Sequence, residues 1–246
     1  VPGHGGDAAS NSGAASAPEG TQCLKAVGIA EAAMRATMLG STEGVTEDEV
    51  VYVSTGEGAT SEGEFWESVN SACNLGLPVV YVVEDNGYGI SSPTRKINPL
   101  AIDVLQPNEW RLIDGSDVQA VYDAGQEASA HLRAGKGPVF FWVKMERLSS
   151  HTSSDDHKLY RTAEEIEKLS EGDPLEKFKD RLIAEGGITA DEYARLDQEV
   201  KERIRQEFTE AEKEEDPTAD ELRLQVTGEL PELDDEILPP GKYRIG

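Results

Sequence analysis

Two short β-branched runs, Val50-Val51-Tyr52-Val53-Ser54 and Pro78-Val79-Val80-Tyr81-Val82-Val83, constrain this chain more than any other feature. Neither alternates apolar with polar residues. That is the pattern of strands covered on both faces, as in a parallel sheet. Each run also stops at a turn rich in glycine and oxygen-bearing side chains: Gly56-Glu57-Gly58 after the first, Glu84-Asp85-Asn86-Gly87-Tyr88-Gly89 after the second. Between them, Ser61 with Glu64 three residues on reads as a capping box opening a helix through Leu75.

The rest of the chain extends this alternation. Leu24, Val27, Ala30, Ala33, Met34 and Met38 recur at helical spacing over 21–39, and the small residues Ala26, Gly28, Ala32 and Ala33 predict a closely packed helix ended by Gly40 and Gly44. Trp110 to Ile113 and Val139 to Met145 read as further strands, with a helix over Val118 to Leu132 between them. Strands alternating with helices predict an α/β fold, a mostly parallel sheet flanked by helices. After Met145 the pattern changes to a polar loop, Glu146 to Tyr160, then amphipathic helices near 163–171, 174–186 and 189–214. The expected organisation is an α/β domain over 1–161, a helical C-terminal extension of it over 162–215, and an acidic, proline-bearing tail or linker over 216–246. The chain opens at Val1 in mid-motif and without an initiator Met, so an N-terminal part is expected to be missing.

Charge excludes some functions. A formal net charge of -25 argues against nucleic acid and against anionic membrane surfaces, since both need a basic footprint. No apolar run reaches the ~20 residues that span a bilayer. The two cysteines, Cys23 and Cys73, have no metal spacing and are expected to be buried, inert thiols in a reducing compartment. No segment reads as a signal peptide, so a cytoplasmic location is the expectation.

The two strand-end turns are where chemistry is expected. In open parallel sheets ligands sit outside the carboxyl ends of the strands. Glycines let a ligand approach the backbone, and free amides at a helix start favour an anion such as phosphate. Glu57 and Asn86 add hard oxygen donors that suit Mg2+, with a backbone carbonyl and diphosphate oxygens completing its octahedron. Alone, each turn is an ordinary solvated one; the pair on adjacent strand ends is what points to a site.

Gly56-Glu57-Gly58, then 26 residues, then Asp85-Asn86, resembles the thiamine diphosphate signature. GEGATSEGEFWESVN (56–70), PVVYVVEDNGYGIS (78–91) and HTSSDDHKLYR (151–161), with PGHGG (2–6) and TQCLKAVGIAEA (21–32), resemble the alpha subunit of thiamine-diphosphate-dependent 2-oxoacid dehydrogenases, over roughly residues 1–215. The resemblance implies a thiamine diphosphate-binding fold and a metal set of Glu57, Asn86 and the Tyr88 carbonyl. It implies cofactor contacts from Gly56, Glu57, Gly58, Ala59, Asn86, Tyr88, Gly89, Ile90 and His151, with His151 catalytic. Branched-chain members also carry Glu at the position of Glu57; Asp85 replaces the commoner first Asn, and Glu84 stands where an arginine is sometimes found. Arg147 is a possible source of positive charge at the site, Tyr160 and Arg161 are expected to order the loop, and His131 and His157 to be exposed; the role of His4 is left open.

The implied activity is oxidative decarboxylation of a 2-oxoacid with acyl transfer to a lipoyl-bearing acyltransferase. The implied cofactors are thiamine diphosphate and Mg2+, and the implied partner is a beta subunit or fused beta domain, in a heterotetramer or fused dimer. Another thiamine diphosphate activity, such as acetoin cleavage, and a non-catalytic alpha-like scaffold are the alternatives.

Overall fold

Val51–Gly56 (β1) and Val79–Asp85 (β2) run parallel, with Gly56 opposite Glu84. In this computed structural model, which describes residues 19–40, 48–94, 110–216 and 218, they belong to a four-stranded sheet. Its other members are Trp110–Asp114 (β5) and Val139–Lys144 (β6), in the spatial order β1-β2-β6-β5, all parallel. The carboxyl ends of the four strands therefore lie along one edge. A small antiparallel hairpin, Tyr88–Gly89 (β3) and Ser92–Pro93 (β4), follows β2 directly.

Side chains alternate across the sheet and feed two cores. On one face Val53, Val79, Tyr81, Val83, Phe140 and Trp142 pack against the helices Thr21–Met38 (α1) and Gly63–Leu75 (α2). Phe65 of α2 is fully buried and meets Tyr81 edge-on at 6.2 Å, while Tyr81 stacks on Phe140 at 5.1 Å. Burying a side chain of that size stabilises by roughly 1.5–3 kcal/mol. The small residues Cys23, Ala26 and Ala30 form the buried face of α1, which permits close packing. Gln22 of α1 donates at 3.3 Å to Ser54 O and to Thr55 Oγ1, tying the start of the helix to the end of β1.

The opposite face of the sheet is covered by Val118–Arg133 (α3), whose Ala124, Ala128 and Leu132 pack on Val80, Ile113, Phe141 and Val143. Asp117 caps α3 by accepting from Gln119 N and Ala120 N. Between β5 and α3 the chain squeezes past β6: a Cβ on Gly115 would lie 2.8 Å from Lys144 O and from Val143 Cγ1, so only glycine fits there.

Beyond the sheet, Thr162 and Glu165 form a reciprocal capping box on Ala163–Lys168 (α4), and Asp173 with Pro174 opens Pro174–Ala184 (α5). Ala190–Ala211 (α6) is the long last helix. The described residues fall into two units, one running to Thr189 and one beginning at Ala190. Along α6, Leu196, Val200, Ile204 and Phe208 recur every fourth residue and are exposed. No helix among the described residues is long and apolar enough to cross a membrane.

Several sequence expectations are corrected. α2 starts at Gly63, not Ser61, because residues 57–61 wind as a 3-10 turn and Glu62 becomes the N-cap, with no side-chain cap bond. The expected Ser61–Glu64 box does not cap this helix. Residues 169–172 likewise form a 3-10 turn after a short α4. Cys23 is buried but Cys73, on the outer side of α2, is exposed. His131 and His157 are half-buried rather than exposed. His4, the segment before residue 19 and most of the 216–246 tail lie outside the described residues.

Candidate active site

β2 continues two residues further than its apolar run, and this sets the site. Glu84 and Asp85 are still strand, so Asp85 points into the protein and is 1% exposed. Glu57, the first residue of the 3-10 turn after β1, is equally buried at 1%. Pairing of β1 with β2 brings these two carboxylates together. Thr94, buried just after β4, bridges them by donating to Glu57 Oε1 at 3.2 Å or Asp85 Oδ1 at 3.4 Å. Thr94 N in turn donates to Gly87 O at 2.9 Å, closing the second turn on itself.

The two carboxylates are treated differently. Burial alone would raise Asp85, but hydrogen bonds from Lys144, Trp142 Nε1 and Gly87 N outweigh it and hold the carboxyl below its ordinary value. Among the described residues no cation is paired with Glu57. Burial raises its pKa, the Asp85 charge adds to this, and its own backbone N–H, the Thr94 hydroxyl and the Asn86 N–H oppose it. Among the described residues, one buried carboxylate is thus paired with a cation and the other is not.

Asn86 is half-buried at the end of β2, and its Oδ1 accepts from Tyr88 N at 3.2 Å. An amide oxygen has a second lone pair, so this turn leaves Asn86 able to bind a cation. Gly58 approaches the hairpin closely; a Cβ there would lie 3.9 Å from Gly89 Cα. Ala59 is buried, Gly56 is exposed at the strand end, and Ile90 is exposed with φ 56°, the only non-glycine positive φ among the described residues. Glu57, Gly58, Asn86, Tyr88 and Gly89 are therefore gathered into one locus. Thr94, Trp142 and Lys144 belong to it and carried no signal in the sequence: the β3–β4 hairpin brings Thr94 there, and cross-strand register brings Trp142 and Lys144.

No group of three or more His, Cys, Asp and Glu among the described residues could hold a metal. The oxygen donors that the described residues gather here are mixed, a carboxylate and an amide beside backbone carbonyls, a set of the kind that suits a hard ion keeping several non-protein oxygens. A cleft of about 350 Å³ opens on the Lys144 flank, lined by Asp85, Asn86, Lys144 and Lys177 among others; neither Glu57 nor His151 lines it.

His151 is exposed on the loop after β6 and makes no side-chain hydrogen bond to either turn. Its backbone N–H donates to Asp155 Oδ2 at 2.8 Å, and the same oxygen accepts from Tyr160 Oη at 2.6 Å. Arg147 Nη2 reaches Tyr160 Oη at 2.5 Å, and Arg161 Nη1 donates to Arg147 O at 2.7 Å. The expected ordering role of Tyr160 and Arg161 has this physical form.

Loop order is accordingly tied to pH. The Tyr160 hydroxyl and the His151 N–H hold Asp155 below the ordinary carboxyl value. A depressed carboxyl contributes its stabilisation above the unfolded pKa of about 4 and loses it as pH falls through the folded value. Hydrogen exchange of the 151–161 amides, taken relative to α3, should stay constant above that point and rise below it. Constant relative protection down to strongly acid pH would contradict this.

Residues 7–220 match the family described as dehydrogenase E1 component. The pyruvate dehydrogenase E1 component subunit alpha of Rhizobium meliloti (strain 1021) is 34% identical over 184 residues, 73% of this chain and 53% of that protein. The 3-methyl-2-oxobutanoate dehydrogenase subunit alpha of Mycobacterium tuberculosis (strain CDC 1551 / Oshkosh) is 37% identical over 177 residues, 70% and 45%. The 2-oxoisovalerate dehydrogenase subunit alpha of Bacillus subtilis (strain 168) is 34% identical over 198 residues, 78% and 56%. The chain spans about half the length of these relatives. With most of its residues matched, and with alpha subunits as its relatives, this chain belongs to the dehydrogenase E1 component family.

Proposed function

We propose that this chain is the alpha part of a thiamine-diphosphate-dependent 2-oxoacid dehydrogenase. The observation that supports the reading best is the single locus formed by Glu57 and the Asn86 turn at adjacent strand ends. A buried carboxylate that no described cation pairs with, an amide oxygen with a second lone pair and a nearby carbonyl are donors that fit Mg2+ bound to a diphosphate. Glu57, Asn86 and the Tyr88 carbonyl would hold the metal, with the backbone at Gly58 and Ala59 facing the diphosphate. Gly56, Gly89 and Ile90 would line the cofactor's approach.

When bound, thiamine diphosphate supplies the electron sink that loss of carbon dioxide from a 2-oxoacid requires. The chain's own residues bind and orient around it. Asp85, fixed by Lys144 and Trp142, holds the Gly87 N–H and so keeps Asn86 facing Glu57. His151, presented by the Asp155–Tyr160 bonds, would face the anionic cofactor. The acyl acceptor in this reading is a lipoyl group on an acyltransferase. The relatives divide between pyruvate and branched-chain enzymes at 34% and 37% identity, so identity selects the class, 2-oxoacids, and not one member.

The assembly includes a beta-type partner, as a separate subunit or a fused domain. Leu196, Val200, Ile204 and Phe208 leave an exposed apolar stripe along α6 that suits such a partner. Decarboxylation of pyruvate and of branched-chain 2-oxoacids, followed with an artificial electron acceptor, should be absent with this chain alone and appear when its partner is added. Full turnover by the isolated chain would refute the need for a partner. No cofactor binding in the assembled protein would refute the function.

A further inference from the structure

The Tyr88 side chain sits where the metal turn meets the His151 loop. The Arg161 guanidinium lies 4.9 Å from its ring centroid, the Arg147 guanidinium 5.9 Å, and the Tyr160 ring 5.7 Å. Arg161 is 6% exposed. Arg147 also lies 5.7 Å from the Tyr160 ring, and its Nε and Nη1 are buried with no hydrogen-bond partner. A half-buried cation whose Nε and Nη1 atoms are buried without hydrogen-bond partners is costly unless something answers its charge. Here the electron-rich faces of Tyr88 and Tyr160 do so, and they gain strength from exclusion of water. Tyr88 is also fixed from the other side, since its N–H donates to Asn86 Oδ1 and its strand pairs with β4.

The contacts run without a break. Asn86 holds the Tyr88 backbone, the Tyr88 ring holds Arg147 and Arg161, Arg147 holds Tyr160, and Tyr160 holds Asp155, which holds the His151 N–H. We propose that the Tyr88 ring is a positioning residue for His151: by cation–π contact with Arg147 and Arg161 it fixes the loop to the turn, so that the metal-binding end of β2 and the histidine are placed together. The backbone carbonyl of Tyr88 serves the metal in the reading given above, and the inference adds a separate duty for its side chain. It rests on that reading only for the cofactor arm of its test.

The test uses the full chain and hydrogen exchange of the 151–161 amides, first without cofactor. Tyr88→Met keeps an unbranched apolar side chain and removes the ring. Exchange in this loop should rise about tenfold, while the amides of α3 stay unchanged. Tyr88→Phe keeps the ring and should match the unsubstituted chain, because the Tyr88 hydroxyl makes no hydrogen bond among the described residues. Should Tyr88→Met not fold, pentafluorophenylalanine at position 88 keeps the ring's size and reverses its quadrupole, and should loosen the loop as Met does. With Mg2+ and thiamine diphosphate added to the chain and its partner, protection of 151–161 should increase in the unsubstituted protein and in Tyr88→Phe, and much less in Tyr88→Met. Equal exchange in Tyr88→Met and the unsubstituted chain overturns the proposal, as does a Tyr88→Phe variant as loose as Tyr88→Met. Failure of the unsubstituted assembly to bind cofactor overturns the cofactor reading instead, and the cofactor-free comparison still decides the role of the ring.

Discussion

Asn86→Ala should lower the affinity of the assembled protein for Mg2+ and thiamine diphosphate by at least ~100-fold and leave the fold intact. The side chain sits at the end of β2, half-buried, and packs in neither core. Removing it deletes one of the two side chains proposed as ligands, since Asp85 is already committed to Lys144 and Trp142. It also frees the Tyr88 N–H, now held at 3.2 Å, so the carbonyl of the same turn is less well aimed. A small octahedral ion tolerates neither change. Calorimetric titration reads the loss, and thermal melting without cofactor should match that of the unsubstituted chain. Unchanged affinity would remove Asn86 from the metal set and leave Glu57 without its companion.

The second large effect is expected at Lys144. Its side chain is 58% exposed, whereas that of Asp85 is fully buried. Lys144→Met strands a buried carboxylate, with Trp142 Nε1 and Gly87 N as its main remaining donors. Breaking a fully buried pair costs ~3–5 kcal/mol. With one partner more than half in solvent, about 1–3 kcal/mol is expected, read as a lower denaturation midpoint. Cofactor affinity should fall as well, since the same carboxylate holds the Gly87 turn. Adding Asp85→Asn should recover most of the stability, because the neutral amide no longer needs the ammonium and its oxygen can still accept from Trp142. A double variant as unstable as Lys144→Met alone would show that the ion pair is not the cause.

The strands were legible because a parallel sheet buries both faces and writes its members as unbroken β-branched runs. The 26-residue interval from Gly58 to Asp85 was legible for a related reason, since one helix and one strand must fit between two adjacent strand ends. What the sequence hid depended on register and on competition between local structures. Nothing local to Lys144 says that it faces Asp85; pairing of β2 with β6 decides that. Nothing in the sequence singles out Thr94; the β3–β4 hairpin turns it back between the carboxylates. Ser61 had the composition of a helix cap, but tightening of residues 57–61 into a 3-10 turn moved the helix start past it. Glu57 and Asn86 were named from their turns and Tyr88 from the family resemblance, and the structure gathers them; it leaves His151 exposed and reached only through its loop.

The uneven burial of Asp85 and Lys144 also gives mutation a preferred order. Starting from this chain, loss of the lysine first passes through a stranded interior charge. Loss of the aspartate's charge first leaves only a lysine that already lies mostly in water. A lineage moving between a charged and a neutral version of this turn would therefore change position 85 before position 144, and the reverse journey would install the lysine first.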